Sequence, residues 1–312
     1  MSGAVVTAGR MRGIHAATVT PLRADFSIDE AALEAHVAAL AAAPGIEGFL
    51  INGHAGENFV LSADEKARVV DIARAAIPDG QVLCAGVNAE SSLAAAQEAA
   101  AAERAGADVL LVFPPNSFAL AHHGGVVDLH HRHVLDACGL PILLYGAPVG
   151  AGHMAYRPET LLRLADDPRV IGIKEGSWEV AAYEATWRLF EGRDDFAVLG
   201  SGDEHLLASY MVGSAGSQVS LAALAPQLIV DLFAAASDGE WQRARGLHDR
   251  VYPLAKAIYG THPASRATAR LKAALALVGI IPEATVRPPQ PPLGSAEIAA
   301  LTSALEAAGI SV

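Results

Sequence analysis

The stretch "GIHAATVTPLRADFS", residues 13–27, decides the fold. Its first half, "GIHAATVT" (13–20), is short and apolar and reads as a strand. Its second half, "VTPLRADFS" (19–27), contains no glycine. An open, doubly wound α/β sheet usually carries a glycine-rich dinucleotide turn after its first strand. Without that turn, the alternation that follows is better read as a closed barrel.

Further strand-length runs recur at "IEGFLIN" (46–52), "QVLCAGV" (81–87), "ADVLLVF" (107–113), "PILLY" (141–145), "RVIGIK" (169–174), "FAVLG" (196–200) and "GSQVS" (216–220). Ala/Leu/Glu segments with helical spacing lie between them, among others 28–43, 62–76, 91–104, 158–166 and 203–213. Ser62 followed three residues on by Glu65 has the form of a capping box. Strand–helix alternation implies a parallel sheet, and eight units over roughly 220 residues fit a (β/α)₈ TIM barrel. The expected division is a catalytic barrel over 1–238 and a C-terminal helical extension over 239–312, with helices near 240–258, 265–279 and 295–309. The Pro-rich "VRPPQPPLGS" (286–295) reads as a stiff connector between the last two helices.

Composition narrows the function. With 52% hydrophobic and 18% charged residues the chain reads as soluble with a sizeable core. Aromatics are 5%, so aliphatic packing must carry that core. A net charge of -12 argues against nucleic acid and anionic lipid as partners. A small anionic substrate stays compatible with it, because a few local cations outweigh a distant field in a dry pocket. Cys84 and Cys138 show no disulfide or zinc spacing and are expected buried and reduced, as in a cytoplasmic protein. "MSGAVVTAGRMRG" has too short an apolar run for a signal peptide, and no stretch has the length of a membrane span.

In a barrel, chemistry gathers at the carboxyl ends of the strands. The sixth strand runs "VIGIKEGS" (170–177), and Lys174 interrupts its apolar residues. Strand alternation puts Gly172 and Lys174 on one face. If that face is the interior, the ammonium is poorly solvated, its pKa falls, and the neutral amine can attack a carbonyl carbon. Taken alone, the stretch also suits a lysine that simply reaches solvent. Three other strand ends bear on the choice. "INGHAGEN" (51–58) carries Gly53 and Gly56, which allow backbone N–H groups to face an anion. Tyr145 ends the fifth strand, where a phenol can carry protons, and "GSAGSQVS" (213–220) brings glycines and polar groups to the eighth.

At this point the chain resembles the dihydrodipicolinate synthase / N-acetylneuraminate lyase family of Schiff-base-forming class I aldolases. The resemblance covers essentially the whole chain: "TVTPL" (18–22), "GHAGENFVLSADEK" (53–66), "LLYGAP" (143–148), "VIGIKE" (170–175), "GSGDE" (200–204) and "VRPPQPPL" (286–293) occur in the family's order. It implies a Schiff base from Lys174 to a 2-oxo acid, usually pyruvate, with Tyr145 shuttling protons. It implies a carboxylate held at Gly53, Ala55 and Gly56, a turn buttressed by Glu57, and Gln218 offering a backbone carbonyl beside the keto acid. It implies no metal, no organic cofactor, and a homo-oligomer, tetramer or dimer.

The chain also departs from the family. His54 and Ala55 stand where the family keeps two hydroxyl residues, so His54 either rebuilds the proton relay or only fills space. "FPPNSF" (113–118) lacks the tyrosine lent to a neighbouring subunit, and Pro115 and Asn116 stand there, Asn116 being carried as a substrate contact. Gly150, in "VGAGH", stands where the synthases have an arginine that grips an aldehyde's carboxylate, with His153 nearby. Histidines at "AHHGG" (121–125) and "DLHHRH" (128–133) find no matching metal partners, and an exposed helix face is expected of them.

The expected activity is a lyase acting on pyruvate or a related 2-oxo acid by aldol cleavage, condensation or dehydration. Two alternatives stay open: a genuine 4-hydroxy-tetrahydrodipicolinate synthase, and a catalytically altered family member that binds 2-oxo acids. A phosphate-handling barrel using "GSGDE" and "GSAGS" ranks low, since Asp203 and Glu204 would repel phosphate.

Overall fold

A computed structural model describes residues 5–120 and 124–312. Eight strands close into one parallel barrel in chain order: β1 (Gly13–Ala17), β2 (Ile46–Ile51), β3 (Val82–Val87), β4 (Val109–Val112), β5 (Ile142–Gly146), β6 (Val170–Glu175), β7 (Ala197–Gly200) and β8 (Gly216–Val219). Each strand pairs with its sequence neighbour, and β1 closes on β8 through Gly13–Gly216 to Ala16–Val219.

Strand alternation divides the apolar residues into two cores. Leu50, Cys84, Leu111, Leu143 and Leu199 fill the barrel interior. Phe49, Ile51, Leu83, Leu110 and Leu144 face outward and pack under the helices. A fully buried Leu or Ile contributes about 1.5–3 kcal/mol through removal from water, so this double burial of β-residues is a large favourable term. The 3₁₀ turn Ala8–Met11 plugs the amino end: Met11 is fully buried and joins the interior cluster. His15 Nε2 donates to Met11 O at 3.1 Å, and burial holds this imidazole down to about 4, so it is neutral. Among the described residues this turn therefore fills the amino end of the barrel.

The outer helices follow the expected segments closely. Examples are Glu30–Ala41, Ala63–Ala76, Ser92–Arg104 and Pro158–Leu164. The Ser62 capping box is formed, with Ser62 Oγ accepting from Glu65 N at 3.2 Å and Glu65 Oε2 accepting from Ser62 N at 2.8 Å. Segment 203–213 is a 3₁₀ turn, Asp203–His205, running into a helix, Leu206–Val212. After β8 the chain forms Pro226–Ser237, then Trp241–Ile258, Ala267–Leu277 and Ser295–Ala307. The last helix packs on the two before it, and Arg266 pairs with Glu297 at 2.7 Å.

One expectation is corrected here. His130 and His131 are not on an exposed face but buried in the helix Gly124–Ala137. Ser92 Oγ lies 3.0 Å from His130 Nδ1, and Tyr156 OH lies 3.1 Å from His131 Nε2. Packing against the neighbouring helix decides this, which helix periodicity alone does not reveal. His122 and His123, from the same run, lie outside the described residues. Both cysteines are free and buried, and among the described residues no helix is long and apolar enough to cross a membrane.

Candidate active site

Register brings the central pair together. Tyr145 on β5 pairs with Lys174 on β6. Paired residues on neighbouring parallel strands project to the same side, so phenol and amine stand side by side at the carboxyl end. Gly172, two residues before Lys174, allows the strands to approach: a Cβ there would lie 2.4 Å from Ala197 O. The glycine thus serves backbone contact with β7 more than space inside the barrel.

Lys174 is half-buried and lines the cavity. Burial lowers its pKa to about 8, with Asp203 and then Cys84 acting in the opposite sense. Burial likewise raises Tyr145 well above its ordinary value, with Glu175 adding to the effect. Asp203 lines the same cavity, accepts from Leu221 N at 3.1 Å, and is raised to about 7, mainly by burial. In the sequence it registered only as a charge that would repel phosphate. Its position beside the lysine depends on the turn after β7, which carries no residue pattern specific to that role.

His54 is placed at the cavity wall, and its surroundings are aromatic. Its ring stacks on Phe59 at 4.7 Å and on Phe113 at 4.5 Å, and meets Tyr145 edge-on at 5.1 Å. Burial, then the Lys174 charge, lowers its pKa to about 3. A relay that works by gaining charge near neutrality is therefore not what this environment favours; the ring is neutral.

The turn after β2 differs from expectation in its details. Gly53 and Gly56 are not in the left-handed region; Asn52 (φ 56°) and Glu57 (φ 58°) are. Gly56 instead admits the segment that follows β1, since a Cβ there would lie 3.3 Å from Thr20 Oγ1. The N–H groups of Gly56, Glu57 and Asn58 are occupied within the turn. Those of His54 and Ala55, at the start of the 3₁₀ turn His54–Gly56, have no backbone acceptor among the described residues. Glu57 braces the turn from outside: its carboxylate accepts from Lys272 Nζ, and from Arg287 N at 3.0 Å. Lys272 is fully buried and also donates to Thr285 O at 2.9 Å. The C-terminal segment thus grips the β2 loop, a contact across more than two hundred residues that no local pattern announces.

Gln218 is fully buried on β8 and lines the cavity. Neither its amide nitrogen nor its amide oxygen has a hydrogen-bond partner. Cys84 lies close enough for the amide to offset part of the burial that pushes the thiol up to about 12, but that contact falls short of ordinary hydrogen-bond geometry. Asn116 is not in the cavity. It is exposed at the start of the 3₁₀ turn Asn116–Leu120, with its N–H held by Glu90 Oε1 at 2.7 Å. Gly150 is exposed with open space around its Cα. Among the described residues no cluster of three or more His, Cys, Asp or Glu is arranged to hold a metal ion.

The cavity measures about 630 Å³ and reaches from Lys174 and Gln218 up to the C-terminal extension, which contributes Tyr259, Thr268 and Pro289. A poorly solvated amine beside a phenol, at the open end of a (β/α)₈ barrel, defines a barrel enzyme equipped to attack a carbonyl carbon. The chain belongs to the dihydrodipicolinate synthetase family, whose model matches residues 10–308, and the members of that family are lyases of the aldolase type. It is 32% identical over 290 residues to a 4-hydroxy-tetrahydrodipicolinate synthase of Methanopyrus kandleri, covering 92% of each chain. It is 31% identical over 307 residues to the enzyme of that name from Kineococcus radiotolerans, covering 96% of this chain and 93% of the relative. Among solved structures, a dihydrodipicolinate synthase from Agrobacterium tumefaciens is 29% identical with a TM-score of 0.87, covering 96% of this chain and 99% of that one. An Escherichia coli K12 prophage protein of the family, solved with pyruvate, has a TM-score of 0.87 at 24% identity and supports the fold alone.

Proposed function

We propose that Lys174 is the nucleophile of a Schiff-base lyase acting on pyruvate or a related 2-oxo acid. The observation that carries this reading is the lysine itself, held near pKa 8 by burial and paired in register with Tyr145. The neutral amine adds to C2 of the oxo acid, and water leaves to form an iminium. Loss of a C3 proton gives the enamine. The enamine carbon attacks an aldehyde carbon, the aldehyde oxygen takes up a proton, and water releases the 4-hydroxy-2-oxo acid and free lysine. Run backwards, the same steps cleave an aldol; loss of the C3 proton and C4 hydroxyl as water would give dehydration.

Tyr145 exchanges protons with the adduct; a phenol with a raised pKa stays protonated and donates. The N–H groups of His54 and Ala55 receive the carboxylate, while Gly53 and Gly56 shape the turn and Glu57 braces it. The Gln218 amide supplies a polar contact from its side chain, because a buried amide without partners costs about 1–3 kcal/mol per group until a ligand satisfies it. Asp203 tunes the lysine. Residues 1–238 serve as the catalytic barrel and 239–312 as the extension that roofs it. A cytoplasmic homo-oligomer suits the family and the two free, buried cysteines.

The names of the relatives favour a second reading, 4-hydroxy-tetrahydrodipicolinate synthase itself. Gly150, in place of a carboxylate-gripping arginine, speaks against it. The test is incubation with pyruvate and borohydride followed by intact mass and peptide mapping. Reduced adduct on Lys174, lost in Lys174→Ala, is expected. Adduct on Lys66, Lys256 or Lys272, or none at all, overturns the reading.

A further inference from the structure

The cavity that holds Lys174 has largely apolar walls. Phe59, Trp178 and Tyr259 line it together with Pro148 and Pro289. Phe59 lies stacked on His54, yet is 57% exposed. Trp178, half-buried on the loop after β6, has φ 62°, and its ring centre lies 5.7 Å from that of Tyr259. A bulky residue at positive φ is a conformational outlier. Such strain persists where the surrounding structure holds it, and it gathers at functional sites. Core packing explains neither Phe59 nor Trp178, because neither ring belongs to the core.

The charges of the lining point the same way. Among the described residues its cations are Lys174 and Arg287. Lys174 is taken by the imine. Arg287 is committed elsewhere: Nε donates to Phe26 O at 3.1 Å, NH1 to Val60 O at 2.9 Å and Glu65 Oε2 at 2.8 Å, and NH2 to Phe26 O at 2.8 Å and to Glu65 Oε1. No cation of the lining is left to pair with a second carboxylate or a phosphate, and Asp203 adds a titratable acid. A charged group placed here would lose its water without compensation, whereas a ring can stack on Phe59 and Trp178.

We propose that the aldehyde joined or released at this site is uncharged and aromatic. The proposal rests on Lys174 forming the pyruvate adduct. The enamine C3 bonds to the aryl aldehyde carbon, the aldehyde oxygen takes a proton, and hydrolysis of the iminium frees the lysine and a 4-aryl-4-hydroxy-2-oxobutanoate; cleavage is the reverse.

Three readouts keep the two assignments apart. Borohydride trapping with pyruvate scores the imine. Binding of benzyl alcohol, an unreactive uncharged aromatic, followed by isothermal titration calorimetry, scores the chamber. Condensation of pyruvate with benzaldehyde or L-aspartate semialdehyde scores the preference. Benzaldehyde is expected to have the higher kcat/KM by about 100-fold, in the range an apolar pocket can discriminate. Phe59→Ala, at an exposed position, and Trp178→Ala should each lower benzaldehyde condensation about ten-fold more than they lower pyruvate trapping. A kcat/KM for L-aspartate semialdehyde equal to or above that for benzaldehyde overturns the proposal, as does benzaldehyde condensation unaffected by both variants. If pyruvate is not trapped but benzyl alcohol binds the native protein and not Trp178→Ala, the chamber assignment stands and the lysine assignment falls. If neither trapping nor binding occurs, both fall.

Discussion

Replacing Lys272 by Met removes the cation that the C-terminal segment places against the β2 loop. Lys272 is fully buried, its ammonium contacts the Glu57 carboxylate, and Glu57 is 7% exposed. Burial pulls the lysine's pKa down and the Glu57 charge pulls it up, with burial the larger effect. In Lys272→Met the Glu57 carboxylate keeps only the Arg287 N–H at 3.0 Å. Breaking a buried pair from one side costs about 3–5 kcal/mol, because a charge is stranded in the interior. For a chain of 312 residues that is a fall in Tm of about 5–8 °C. Thermal unfolding followed by circular dichroism measures it. The double variant Glu57→Gln/Lys272→Met, with no stranded charge, is expected to recover part of the loss. Because Glu57 braces the turn that starts at His54, pyruvate trapping should also weaken in the single variant. A Tm within about 2 °C of the native protein, or a double variant less stable than Lys272→Met, would refute the view that this pair locks the extension onto the site.

Three further outcomes are expected. With Lys174 near pKa 8, the neutral amine is about a tenth of the population at pH 7 and half at pH 8, so the rate of borohydride trapping should rise about five-fold between them; a rate flat across this interval, or still climbing steeply to pH 10, contradicts the depressed pKa. Asp203 stabilises the protonated lysine, so Asp203→Asn should move the midpoint of that profile to lower pH, and an unmoved midpoint would show that the two groups are not coupled. His54, lowered to about 3 by burial and by the Lys174 charge, should place no acid limb on kcat above pH 5, and an acid limb near pH 6 that disappears in His54→Phe would reinstate the titrating relay.

The barrel was legible in the sequence, and so were the strand ends that carry Lys174 and Tyr145. Eight apolar runs of strand length separated by helical segments leave few topologies open, and Tyr145 and Lys174 stand at the ends of two of those runs; the register between β5 and β6 then set them opposite each other. The runs and their ends are local signals, because backbone periodicity writes them into neighbouring residues. The tertiary structure decided the environment of those groups. His54 and Glu57 are three residues apart, yet Glu57 faces Lys272 and His54 faces Phe59, Phe113 and Tyr145. That division settles which influence acts on the imidazole, and it was invisible before the loop was placed. His130 and His131 went inside because a neighbouring helix and Tyr156 offered partners. Asp203, Arg287, Trp178 and Tyr259 reached the cavity through turns and through the C-terminal extension. Burial and charge depend on what lies opposite in space, and in a barrel the residue opposite is often a hundred or more positions away along the chain.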